Sequence, residues 1–150
     1  MLFRSNVFLG GPAAANNMVL GGVLALGSSA RTVTVLSPNA TATLAGTITG
    51  TQPLAKAGLG VLALTGSTVT YAPGFTLGAG TIQLDQTLSL FSAPIATSAA
   101  TTVSLNPGAN GSIGVSVNPG ATPFAVSGAG QLIKPGATGA AYVQIGRAHV

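Results

Sequence analysis

One carboxylate, one imidazole and no thiol are all that this chain of 150 residues offers to acid–base, nucleophilic or metal chemistry. Paired-carboxylate catalysis needs two acids flanking one bond, and Asp85 is the only acid present. A Ser-His-Asp arrangement needs a histidine to take the serine proton, and the only one is His149, beside the C-terminus. Zinc sites draw on Cys and His, and a single carboxylate fills little of the roughly six to eight oxygens that calcium takes. Asp85 follows Ile82-Gln83-Leu84 and reads as a turn acid. Gly78-Ala79-Gly80 is no phosphate loop, because neither a helix start nor Gly-Lys-(Ser/Thr) follows it. No catalytic, cofactor-binding or metal residue is therefore assigned. No cofactor is expected, and the chain reads as something other than an enzyme.

The remaining polar features have structural readings. Lys56 reads as a solvated side chain that deters edge pairing, with capping of a coil edge or contact with a partner as the other readings. Tyr71 reads as a packed aromatic with a wet hydroxyl. Asn39-Ala40-Thr41 and Asn110-Gly111-Ser112 match the glycosylation pattern, a short motif that recurs by chance. The pairs Thr32/Thr34, Thr41/Thr43, Thr47/Thr49 and Thr68/Thr70 are too unevenly spaced for a regular hydroxyl array.

The two ends read as translated sequencing adapter. ATC-GGA-AGA-GCA-CAC-GTC encodes Ile145–Val150 and resembles the start of a common short-read adapter. Its reverse complement, with GTG as the start codon, gives Met1–Ser5. Segments of that kind are set aside in fold reasoning. Residues 6–144 then read as an internal fragment, and the loss of Arg4 and Arg147 lowers the net charge from +4 to +2. Arg31, Lys56 and Lys134 remain and form no basic stretch, so nucleic acid is not expected as a partner.

Charged residues are only 4% of the chain while apolar ones are 47%. That balance excludes a charge-rich disordered segment and places polarity on Gly, Thr, Ser and Asn. The absence of cysteine removes disulfides and thiolate chemistry. No apolar run reaches the ~18 residues of a membrane helix, and the apolar part of residues 1–15 is too short for a signal peptide. Membrane insertion by this segment is not expected.

The 22 glycines and nine prolines break any helical stripe. Short alternating runs take its place: Leu24–Leu26, Thr32–Val35, Leu62–Leu64, Thr68–Tyr71, Ile82–Leu84, Leu88–Leu90, Val103–Leu105 and Val115–Val117. Turn signals such as Ser37-Pro38-Asn39 and Ala72-Pro73-Gly74 divide them. Residues 93–102 read as a loop or a poorly specified coil. A longer unit recurs as well, since Val126, Gly128, Leu132, Lys134 and Gly136 repeat the spacing of Ile48, Gly50, Leu54, Lys56 and Gly58. Very short strands, few hairpin turns and a recurring unit predict an all-β parallel solenoid in which each coil covers the next.

Residues 50–84 resemble the autotransporter-associated β-strand repeat, also called the passenger-associated transport repeat. Leu54, Lys56, Gly58, Gly60, Leu62, Leu64 and Gly66 fit its core, Thr68–Tyr71 its middle, and Gly80-Thr81-Ile82-Gln83-Leu84 its close. On this resemblance one full repeat spans about 48–84, with partial copies before and after. The resemblance implies a right-handed parallel β-helix without caps, in the passenger of a type V secreted protein of a Gram-negative bacterium. It would lie outside the cell, tethered to the outer membrane through a domain beyond this chain. Its partners would be neighbouring coils of the same longer chain. The expected role is a structural stalk that extends, presents and aids outward secretion. The alternative is an adhesin module that binds glycans or proteins through an exposed solenoid face, and an inert stalk for an enzyme domain elsewhere in the gene is a third reading. Open coil ends predict a chain that aggregates when alone.

Overall fold

The computed structural model describes residues 2, 4–13, 15–65, 73–85, 94–106, 112–113, 126–135 and 140–141. The described residues hold strands and no helix. Along the chain run β1 (Val7–Leu9), β2 (Met18–Leu20), β3 (Leu24–Ala25), β4 (Arg31–Val35), β5 (Thr41–Leu44) and β6 (Ile48–Thr49). Then come β7 (Leu54–Ala57), β8 (Val61–Leu64), β9 (Phe75–Leu77), β10 (Gly80–Asp85), β11 (Ile95–Thr97) and β12 (Thr101–Asn106). The last are β13 (Ser112–Ile113), β14 (Val126–Gly128), β15 (Gln131–Ile133) and β16 (Ala140–Ala141).

Every pairing between these strands is parallel, and none joins strands adjacent in sequence. The chain therefore winds as a β-solenoid. One six-stranded sheet has the order β1-β4-β7-β9-β11-β14, and a second has β15-β12-β10-β8-β5-β2. Two short pairs, β3 with β6 and β13 with β16, lie outside these sheets.

Strand pleating makes alternate residues share a face, so stacking in register builds columns of side chains. In the second sheet Leu20, Leu44, Leu64, Leu84 and Leu105 form one inward column. The next inward column is Met18, Ala42, Leu62, Ile82, Val103 and Leu132. The first sheet answers with Leu54, Phe75, Ile95 and Val126. The middle members of these columns are fully buried. Outward columns hold smaller or polar residues such as Thr41, Val61, Thr81, Thr102 and Gln131. Each coil thus lays its apolar side on the coils above and below, which is what makes single coils unstable and stacks stable.

The leucine column also gives the true repeat, which is far shorter than the unit read from glycine and lysine. One coil carries the chain from Leu44 to Leu64, and the next from Leu64 to Leu84. The likeness of 126–136 to 48–58 is not a structural translation, because Lys56 lies in β7 of the first sheet while Lys134 follows β15 of the second. Of the segment 93–102, the described residues 94–102 also differ from expectation. Ile95 fills a column between Phe75 and Val126, so Ile95–Thr97 is a strand rather than a loop, and Thr101 opens the next. The strands expected at 68–71, 88–90 and 115–117 lie outside the described residues.

Candidate functional site

The two large sheets meet at a tight corner that recurs in each coil, between β4 and β5, β7 and β8, β9 and β10, β11 and β12, and β14 and β15. After the longer bend of residues 36–40 the bends are short: residues 58–60 join β7 to β8, and residues 78–79 join β9 to β10. Glycine makes this possible. Gly58 adopts φ +76°, and a Cβ there would collide with the Val35 carbonyl of the preceding coil. At the next bend a Cβ on Gly80, φ +72°, would lie 2.5 Å from the Gly58 oxygen. A left-handed backbone and a neighbouring main chain in the same place leave room for no side chain.

Lys56 stands just before that bend. It shares an inward column with Val33 and Leu77, both fully buried, and is itself only 1% exposed. The expectation of a solvated, edge-guarding lysine is therefore corrected. Lys56 is two residues after Leu54 and so shares its pleat parity, which turns it into the solenoid. Its stem runs between aliphatic neighbours and its head reaches the corner. There Nζ donates to the Gly58 carbonyl at 2.6 Å, to Ala57 at 3.0 Å and to Ala79 at 3.0 Å. Three acceptors match the three hydrogens of an ammonium. Ala57 closes the lysine's own strand, Gly58 opens its own bend, and Ala79 lies in the bend of the following coil, so one side chain ties two coils together.

All three acceptors are main-chain carbonyls, so the charge rests on peptide dipoles. Burial pushes the amine down from the ordinary 10.5 to about 8. At neutral pH it remains mostly protonated and can make all three bonds. Chemically this is a staple rather than a reactive amine, since a side chain so covered meets no substrate.

The other singled-out residues do not gather around it. Asp85 closes β10 opposite Asn106 on β12, so it ends a strand rather than sitting in a bend. Lys134 follows β15 and is exposed. Arg31 opens β4 above Leu54, half-buried, and its Nε is buried without a hydrogen-bond partner. Tyr71, Gly66, Gly136 and His149 lie outside the described residues. Among the described residues no three His, Cys, Asp or Glu lie together as a metal-holding group. No described helix is long and apolar enough to cross a membrane. Comparison with protein-family models, with curated proteins and with solved structures finds no match.

Proposed function

We propose that residues 6–144 are a structural stretch of β-helix in a longer secreted or surface-displayed passenger of a Gram-negative bacterium. The segment extends and presents the passenger and aids its outward passage, and it is held at the outer membrane by a domain beyond this chain. The observation that carries this reading is the unbroken inward ladder Leu20–Leu44–Leu64–Leu84–Leu105, whose inner members Leu44, Leu64 and Leu84 are covered by the coils on either side. A rod built this way lengthens by adding coils and changes nothing else about its cross-section. The three polar contacts of the buried Lys56 brace its own coil at Ala57 and Gly58 and join it to the next at Ala79. Placement outside the cell follows from the repeat-like residues of 50–84, and rests on likeness.

The adhesin reading asks for an aromatic-lined groove. Among the described residues the aromatics are Phe8, exposed, and Phe75, in the core, and they form no such groove. Flanking coding sequence tests the stalk: a signal peptide upstream and a membrane β-barrel downstream are expected. A reading frame that continues into a cytosolic domain overturns it.

A further inference from the structure

We propose that Asn39 is an acceptor for N-linked sugar, at a bend that the fold holds open to solvent. Asn39-Ala40-Thr41 has the form that N-glycosylating enzymes read, an asparagine with a hydroxyl residue two positions on. Such a motif recurs by chance, and what sets this one apart is where the fold puts it. The other match begins at Asn110, outside the described residues.

Residues 36–40 join β4 to β5 and make a longer bend than residues 58–60 or 78–79. Pro38 and Asn39 are exposed on it. The bend is pinned from within. Ser37 is only 1% exposed; its hydroxyl accepts from the Asn39 main-chain N–H at 3.2 Å and its carbonyl from the Ala40 N–H at 3.1 Å. Ala40 is buried, and its carbonyl accepts from the Val61 N–H of the following coil at 3.0 Å. Thr41 then opens β5 in the outward column beside Val61. A buried alanine between an exposed and a half-buried residue is the alternation of an extended chain, and it turns the carboxamide and the hydroxyl away from the core together.

Hydrogen bonding separates Asn39 from other asparagines. Asn6 and Asn17 use their Oδ1 atoms to accept from the Thr32 and Thr41 N–H groups of the following coil, at 3.0 and 3.2 Å. The Asn39 carboxamide makes no hydrogen bond to a described residue. Asn16 is also exposed, but Met18 stands two positions after it. The co-substrate is a sugar activated as a diphosphate at its anomeric carbon. Asn39 Nδ2 bonds to that carbon while the carbon–oxygen bond to the diphosphate breaks. The diphosphate leaves with the bonding pair, Nδ2 gives one proton to a base of the transferase, and nothing is oxidised or reduced. A chain with 4% charged residues thereby gains a bulky, hydrated group at its corner.

The test offers the folded full chain to two transferases specific for Asn-x-(Ser/Thr), one supplied with a nucleotide-diphosphate hexose and one with a lipid-diphosphate oligosaccharide. Intact mass and peptide mapping read the product. The peptide carrying Asn39 is expected to gain one sugar unit in at least one reaction, and the reaction that works identifies the carrier. Thr41→Val is expected to lose that gain, Thr41→Ser to keep it, and Asn16 to gain nothing. Valine suits a strand position beside Val61, and circular dichroism checks the β signal; if it is lost, Thr41→Ala takes the place of Thr41→Val. A synthetic peptide of residues 35–45 shows whether each enzyme acts on the motif itself. A modified peptide beside an unmodified folded chain overturns the proposal. So do failure on both, a gain seen only once the chain has lost its β signal, and a gain that persists in Thr41→Val. The stalk reading is tested separately, by flanking sequence, and stands or falls apart from this result.

Discussion

Raising the pH should stabilise this protein through Lys56, against the usual loss of stability in alkali. The amine lies inside the solenoid on carbonyls alone, and burial holds it at about 8 instead of 10.5. Below about pH 8 the folded and unfolded chains both carry the proton, so the cost of the buried charge is constant. Between about 8 and 10.5 the folded chain has released the proton while the unfolded chain still binds it. Stability rises with pH wherever the unfolded state holds more protons. At about 1.4 kcal/mol per pH unit the whole interval is worth about 3 kcal/mol. With a urea dependence of about 1–3 kcal/mol per molar, that moves the unfolding midpoint up by about 1–3 M.

Lys56→Met keeps the stem and removes the titrating group, so the variant isolates this one proton. Every other group is common to both proteins and cancels in the difference. Urea unfolding of both chains at intervals from pH 7 to pH 10.5 is the assay. The midpoint of the wild type relative to Lys56→Met should climb across the upper part of that range. A difference that is flat, or that falls, refutes the reasoning. It would mean that the three carbonyls hold the charged amine as firmly as water does.

The corner and the ladder give two further contrasts. Gly58 and Gly27 have nearly the same φ, +76° and +71°, but a Cβ at Gly58 meets the Val35 carbonyl while one at Gly27 meets nothing within 4 Å. Gly27→Ala should therefore cost about 1–2 kcal/mol of left-handed strain, and Gly58→Ala clearly more, both read by urea unfolding. Equal costs would show that the coils can part at the bend. Leu64→Ala, at a fully buried central rung, should cost about 3–5 kcal/mol. Leu20→Ala, at the partly buried end of the same column, should cost under half as much, by the same measurement.

The architecture is legible in the sequence because its signal is local. Alternation in Thr32–Val35, Leu62–Leu64, Ile82–Leu84 and Val103–Leu105 marks strands, and each of those runs lies within one. The period is harder to read. The step from Leu20 to Leu44 is longer than that from Leu44 to Leu64, and the step from Leu84 to Leu105 differs again. Part of the difference lies in the bends between the sheets, residues 36–40 before β5 against residues 58–60 before β8. A distant match of glycine and lysine, at Gly58 and Lys56 against Gly136 and Lys134, then stands out more than a ladder without one fixed step. Ile95 is hidden by the same cause. Pro94 precedes it and Ala96, Thr97 and Ser98 follow, and its role depends on Phe75 and Val126, which are near only once the coils stack.

Lys56 is hard to place for a different reason, and it shows how a solenoid uses a charge. Residue type argues for solvent and pleat parity argues for the core, and here parity prevails. A leucine at that position would continue the Val33–Leu77 column but bring no donor to the Ala57, Gly58 and Ala79 oxygens. Each hydrogen bond from a charged donor is worth about 1.5–3 kcal/mol, so the three bonds offset much of what burial costs the amine. The tight bend and the buried lysine are therefore one device. Glycine lets the chain turn so sharply that its carbonyls face inward, and a long cationic side chain two residues earlier reaches them. The bond to Ala79 carries the device across to the next coil. A chain with so few charges can keep this one inside because the main chain, rather than another side chain, supplies its counterpart.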